Sequence, residues 1–266
     1  MTWAADEARR VIAEKDAAKI LEGPKHWTGQ ELMAADIKPP HFVIPGMMPE
    51  GLAIIVSPSK VGKSFMVSAL SLAICQGGVA LGHVPTNQCE VIYLDLEQNT
   101  SKAKSRWKQV LGDEPMPSGI HLYFEWKPTD RGGIGMIERA LDKFPRVGIV
   151  FVDVFTKIKP TATPKGMNAY DQEYQILGEL KKIADQRHMA IALVHHTNRT
   201  KSEDPLDTIS GTTAMSATPD ATWILSRSRG KTIGKLYVTG RAANESLFNL
   251  MWNPSVGSWT IYSKEE

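Results

Sequence analysis

Ile54–Phe65, IIVSPSKVGKSF, joins a short apolar run to a polar loop that closes on Gly62-Lys63-Ser64 and opens into an apolar-periodic segment. Leu52, Ile54, Ile55 and Val56 suit a buried strand, and Phe65, Val67, Ala69, Leu70, Leu72, Ala73 and Ile74 suit a helix buried on most of its surface. A strand, tight loop and helix in that order leave free backbone N–H groups at a helix N-terminus, where phosphate charge can sit. The pattern G-x-x-x-x-G-K-[ST] asks for a lysine that reaches the β- and γ-phosphates and a hydroxyl that ligates Mg²⁺; Lys63 and Ser64 fill those places. Ser57, Pro58, Ser59, Lys60, Val61, Gly62, Lys63, Ser64 and Phe65 are the expected nucleotide-binding residues, with ATP and Mg²⁺ as cofactors. The departure is Ser57, which replaces the first glycine, while Gly62 stands where the backbone must come nearest to phosphate.

A nucleotide bound there needs acidic partners at the ends of neighbouring parallel strands, because those ends converge on the ligand crevice. Glu90–Leu96, EVIYLDL, reads as a strand with Glu97 just past it. Glu97 is the expected general base that polarises the attacking water; Asp95 competes for that role, and either acid has the alternative of pairing with a lysine. Val147–Asp153, VGIVFVD, has the apolar run and terminal acid of a central strand carrying a Walker-B aspartate, so Ser64 and Asp153 are the expected metal contacts. Met189–Val194 is an apolar strand opening into His195-His196-Thr197-Asn198-Arg199. A polar side chain at that strand end can sense the γ-phosphate, and His196 is assigned the role; His195 reads as a structural histidine.

Composition sets outer limits. The 266 residues carry a formal charge of +2 with 23% charged side chains, so contact with nucleic acid requires local basic loops. Cys75 and Cys89 lie far apart in sequence without a C-x-x-C or His/Cys cluster, which implies reduced packing residues and no zinc. No apolar run approaches the roughly 18 residues of a membrane span, and Met1–Arg10 is charged rather than signal-like, so the expected location is the cytoplasm without a membrane partner.

Residues 3–22 read as a charged helix with a thin apolar stripe of Val11, Ile12 and Ile20, and Pro39-Pro40 leads into the extended HFVIPG. The expected organisation is an N-terminal helical arm and linker over 1–38 and an ATPase domain over 39–266. Further helices are expected at Thr100–Leu111, Gly133–Phe144 and 169–187, the last with Tyr170, Tyr174, Leu177, Ile183 and Ala184 inward. Short strands are expected at Ile120–Trp126, Ala221–Ser226, Lys235–Thr239 and Leu247–Trp252.

Taken together, PPHFVIPGMMPEGLAIIVSPSKVGKS, VIYLDLEQN, VGIVFVD, LVHHTNR, DTISGTT, PDATWIL and LYVTGR resemble the RepA-like branch of RecA-type ATPases over roughly residues 39–252. That branch includes hexameric plasmid replicative helicases. The resemblance implies an α/β RecA-like P-loop NTPase: a central mainly parallel sheet flanked by helices, followed by a C-terminal β extension. It implies a homohexamer acting on single-stranded DNA, with a replication initiator or loader as a further partner. Carried over by position, Glu97 matches the catalytic glutamate, His196 the sensor, and Arg241 a basic residue that reaches a neighbour's ATP as an arginine finger. The loops facing the channel of such a ring would place Lys157, Lys159 and Lys165, then Arg199 and Lys201, on DNA phosphates. Asn198-Arg199 departs from the Arg-Lys often found there, and no primase or primase-binding segment is recognisable.

The leading expectation is an ATP-hydrolysing, ring-forming DNA helicase. A single-strand-binding recombination or annealing ATPase is a second class, and a regulatory ATPase without DNA binding a third.

Overall fold

The protein is described from a computed structural model covering residues 26–37, 39–198 and 204–265. The expected helix at 3–22 lies outside these residues. The chain divides into two compact units between Pro39 and Pro40. In the first, a short helix not foreseen from the sequence, α1 (Gly29–Ala34), starts at a capping box: Thr28 Oγ1 accepts from Glu31 N at 3.2 Å, and Glu31 Oε2 accepts from Thr28 N at 2.7 Å.

The second unit begins with the short pair β1 (Phe42–Ile44) and β2 (Met48–Pro49), followed by β3 (Gly51–Ser57) and α2 (Lys63–Gln76). A second short pair, β4 (Val79–Ala80) and β5 (Val84–Pro85), precedes β6 (Glu90–Asp95), α3 (Thr100–Leu111), β7 (Ile120–Tyr123), α4 (Gly133–Lys143) and β8 (Val147–Asp153). Then come α5 (Ala169–Arg187), β9 (Ala190–His196), the single turn α6 (Ala214–Ala217), and the strands β10 (Ala221–Arg227), β11 (Ile233–Gly240), β12 (Ser246–Asn253) and β13 (Ser258–Glu265).

One nine-stranded sheet runs in the order β13-β12-β11-β10-β3-β9-β8-β6-β7. From β10 to β7 every neighbouring pair is parallel, and β11, β12 and β13 add an antiparallel extension. The central strands are apolar at successive positions because each feeds two cores. Ala53 and Ile55 pack on one face with Val67, Leu70 and Trp223, while Leu52, Ile54 and Val56 pack on the other with Ile137, Leu177 and Leu180.

Three local expectations are revised. In α5 the buried face is Glu173, Ile176, Leu177, Leu180, Ile183 and Ala184, whereas Tyr170 and Tyr174 are exposed and stack on each other at 6.0 Å. Apart from Glu173, the helix turns an aliphatic stripe inward and leaves the tyrosines, whose hydroxyl tips favour water, outside. Strand β9 continues through both histidines because Val56 and Ser57 pair with His195 and His196. Strand β13 was not foreseen; it is held by alternation of buried Trp259 and Ile261 with outward Ser258, Thr260 and Tyr262.

Phe151 on β8 is fully buried and meets Tyr93 edge-on at a centroid distance of 6.4 Å. Phe151→Ala is expected to lower the unfolding free energy by about 3–5 kcal/mol in urea titrations. Tyr262→Ala, at a half-exposed position, is expected to shift it by about 0.5 kcal/mol or less.

Candidate functional site

The loop between β3 and α2 is shaped by two left-handed residues, Lys60 at φ +65° and Gly62 at φ +112°. Gly62 is required twice over: for its φ, and because a Cβ there would lie 3.2 Å from Trp259 Nε1 and 3.4 Å from Trp252 Cζ3. Lys60 adopts the same region without being glycine, at a cost of order 1 kcal/mol. Ser57, by contrast, is the last residue of β3 with no positive φ, and its hydroxyl donates to Pro58 O at 2.9 Å. Serine therefore fits the first loop position without strain. Gly62 offers no side-chain cap to α2, so the first backbone N–H groups of the helix remain available to an anion.

Lys63 is buried at the head of α2. Its Nζ donates to Ser57 O at 2.9 Å and Pro58 O at 3.3 Å, and lies 3.1 Å from His196 Nδ1. Burial lowers its pKa to about 8, against the opposing pull of Asp153 and Glu97. His196 is lowered as well, first by burial and then by the Lys63 charge, so the ring is neutral at pH 7 and accepts from the lysine. Strand alternation separates the two histidines. His196 turns to the loop, while His195 is buried on the other face, donates from Nε2 to Ser210 O at 2.9 Å, and has its pKa lowered to about 4 by burial.

Lys60, Lys63, Ser64, Glu97, His196 and Trp252 line a cleft of about 590 Å³ at the carboxyl ends of the parallel strands. The two acids at the end of β6 are sorted by their surroundings. Asp95 is fully buried and paired with Arg106 Nη2 at 2.5 Å; Glu97 is exposed and reaches the cleft. The partner that holds Asp95 is thus an arginine of α3, not a lysine. Arg106 also donates from Nε to Ser68 Oγ at 2.9 Å and from Nη2 to Tyr93 Oη at 3.4 Å. Tyr93 in turn donates to Asp153 Oδ2 at 2.9 Å, whereas Asp153 Oδ1 is buried without a partner among the described residues. An orphaned carboxylate oxygen behind a hydroxyl-bearing helix start fits a hard cation that brings its own phosphate and water ligands. No cluster of three His, Cys, Asp or Glu side chains occurs among the described residues.

Arg241, Lys157, Lys159 and Lys165 do not line this cleft, and neither do Ser57, Pro58, Val61 and the fully buried Asp153. Arg241 follows Gly240, whose strand partner Ala221 sits beside Ala53, near the amino-terminal end of the parallel strands and away from Ser57. Its side chain is 62% exposed, with the guanidinium 3.5 Å from Asp220 Oδ1 and donating to Ala217 O at 3.2 Å. Lys157 and Lys165 are exposed in the segment after β8. Lys159 is not free for an outside ligand, because it is paired with buried Glu173 and lies over the Phe155 ring. Arg199 and Lys201 lie outside the described residues.

The structure adds residues that the sequence reading passed over. Arg227 lies 5.5 Å from the rings of both Trp252 and Trp259 and donates to Val61 O at 3.1 Å. Phe65 meets Trp252 edge-on at 5.5 Å. The antiparallel extension thereby braces the loop through cation–π and aromatic contacts. Two tryptophans in a sequence that alternates like a strand read only as packing; nothing in their spacing points across to Gly62.

The model of the AAA domain family matches residues 17–202, and the chain belongs to that family. It is thus an ATPase-type P-loop protein. Among solved structures it is similar to a DnaB-like replicative helicase, described with its interactions with primase, at a TM-score of 0.66 and 15% identity over 97% of this chain and 75% of that one. The chain has that helicase's α/β fold, including the mainly parallel sheet and the C-terminal strands. No curated protein matches it. No helix among the described residues is long and apolar enough to cross a membrane.

Since protonated Lys63 attracts phosphate and the neutral amine does not, anion binding is favoured below pH 8 and lost as pH rises through it. The dissociation constant for Mg²⁺–ATP is expected to be level near pH 7.5 and to weaken up to about tenfold per unit above pH 8. Lys63→Arg, which stays charged, is expected to remove that dependence whatever its affinity. Isothermal titration calorimetry across this range checks both.

Proposed function

We propose that this chain is a Mg²⁺-dependent ATPase that moves on single-stranded DNA, with a RepA-like homohexameric ring as its working form and replicative unwinding in the cytoplasm as its task. In this reading residues 1–38 are an arm and linker, residues 39–266 the ATPase domain, and a replication initiator or loader a further partner. The observation that carries it is one of placement. The cleft, with Lys63, Ser64, Glu97 and His196, opens at the carboxyl ends of the parallel strands, where the segments after β8 and β9 also begin. The fold in common with a DnaB-like replicative helicase supports the reading.

In the proposed mechanism Lys63 leaves its carbonyls for the β- and γ-phosphates, and the N–H groups at the head of α2 take the remaining phosphate oxygens. Ser64 and Asp153 Oδ1 would hold the metal, with Tyr93 fixing the other oxygen of Asp153. Magnesium carried in with the triphosphate would draw charge from the phosphate oxygens. Glu97 orients water and accepts its proton, a role open to it because, unlike Asp95, it has no buried arginine to neutralise it. His196, released by Lys63, donates to the γ-phosphate and senses its departure. Trp252 and Phe65 form an aromatic wall at the cleft mouth.

Arg241 is proposed as a finger into the neighbouring subunit's site. It cannot serve its own cleft from the opposite end of the strands, and its exposed pairing with Asp220 is worth only about 0–1 kcal/mol to give up. Lys157 and Lys165, with Arg199 and Lys201, are the proposed DNA-phosphate contacts.

Wild-type protein is expected to unwind a forked duplex with ATP and Mg²⁺, and its ATPase rate per subunit to rise with protein concentration. Glu97→Gln should bind ATP yet lose about 10²-fold or more in turnover, and Arg241→Ala should bind ATP and lose hydrolysis. An equimolar mixture of the two should regain activity, because some sites then combine an intact glutamate with an intact arginine. Full activity in a dilute monomer, or a dead mixture whose subunits demonstrably exchange, contradicts the finger. ATP hydrolysis without unwinding or binding of any DNA contradicts the motor.

A further inference from the structure

Glu173 sits on the inner face of α5 with the rest of its neighbours aliphatic, and it is buried. A carboxylate in such a place is costly unless its oxygens are fully used. One oxygen, Oε1, is paired with Lys159 from the segment after β8. The other, Oε2, accepts from Thr212 N at 2.9 Å and Thr212 Oγ1 at 2.7 Å, in the segment after β9. Burial alone would push the Glu173 carboxyl up, but Lys159 and Thr212 together hold it below its ordinary value. Gly211, at φ +112°, makes room: a Cβ there would lie 3.2 and 3.3 Å from the two carboxylate oxygens. A single side chain therefore ties together two segments that are 53 residues apart at Lys159 and Thr212.

The tie reaches the cleft within one more residue. Ser210 is bracketed by the paired histidines: its carbonyl accepts from His195 Nε2 at 2.9 Å, and its N–H donates to His196 O at 3.3 Å. Phe155 fills the space between, with its ring 6.0 Å from His195 and 5.1 Å from the Lys159 ammonium. His196 itself touches Lys63. Contiguous packed and hydrogen-bonded groups thus run from the phosphate lysine to both loop bases.

We propose that Glu173 is a positioning residue that holds the loops after β8 and β9 in one register and so couples nucleotide occupancy at Lys63 to the grip of those loops on single-stranded DNA. The inference rests on the DNA-motor reading above. Movement of Lys63 onto phosphate removes its contact with His196, and the backbone of His196 carries that change through Ser210 to Thr212 and Glu173. Without the carboxylate, each loop keeps its own residues but loses its register with the other. Such coupling is reciprocal: nucleotide tightens DNA binding by the same factor that DNA tightens nucleotide binding.

The test measures the dissociation constant of a fluorescent single-stranded oligonucleotide with and without Mg²⁺ and a non-hydrolysable ATP analogue, in the full chain and in Glu173→Gln and Thr212→Val. Wild-type protein is expected to bind DNA about tenfold more tightly with the analogue, within the usual range of coupling. Both variants are expected to bring that ratio to about twofold or less while leaving analogue affinity without DNA unchanged. A residue serving only stability would lower the melting temperature and leave the ratio intact, so retention of the wild-type ratio by a folded variant overturns the proposal. Thr212→Val removes one hydroxyl and keeps the carboxylate, so it carries the test if Glu173→Gln fails to fold. Wild-type protein that binds no DNA in either state overturns the motor reading instead, and this inference with it.

Discussion

A buried lysine with no acid at contact distance among the described residues is the constraint on which the site depends. Lys63 rests on two backbone carbonyls and a neutral imidazole, all of which satisfy its donors without neutralising its charge. Burial then works against the ammonium and lowers its pKa to about 8, a cost that an arriving polyphosphate removes. Much of the local geometry follows from keeping this lysine in place. Ser57 ends a strand so that its carbonyl points into the loop, Gly62 turns with a left-handed φ, and His196 remains in the sheet next to Ser57.

Beneath the cleft, the acids differ in what holds them. Asp95, Arg106, Tyr93 and Ser68 form a buried network spanning β6, α3 and α2, and its arginine uses Asp95 as its closest counter-charge. Asp153, like Asp95, is held in that network through one oxygen, and its Oδ1 has no partner among the described residues. The asymmetry matters chemically, since a carboxylate with both oxygens consumed has nothing left for a cation, and one with neither held would lack a fixed direction. On the opposite face of the sheet Glu173 gives the contrasting case, with both oxygens engaged and a structural rather than ligand-facing position.

Much of this was legible in the sequence because it follows from short-range rules. The apolar runs at β3, β8 and β9 mark strands buried on both sides, the GKS after β3 marks a phosphate loop, and Asp153 closes its strand. Glu97 and Asp95 share one strand end, and only the distant Arg106 distinguishes them; a pairing across 11 residues between a strand and a helix has no local signature. The same limit applies to Lys159, which looks like any loop lysine until Glu173 is folded beneath it. Tyr170 and Tyr174 misled because they repeat at helical spacing, although Ile176 and Leu180 make the stronger apolar stripe. The bracing of the loop by Arg227, Trp252 and Trp259 depends on a β-extension whose last strand alternates too softly to stand out.

The account turns on Lys63 exchanging its protein partners for phosphate. Its most direct test is an experimental structure of the assembled protein with Mg²⁺, a non-hydrolysable ATP analogue and single-stranded DNA. The account predicts Lys63 Nζ on the β- and γ-phosphates and parted from His196, the metal on the Ser64 hydroxyl side facing Asp153 Oδ1, and DNA along the loops after β8 and β9. Lys63 still bonded to Ser57 O and His196 with the nucleotide bound elsewhere would contradict it.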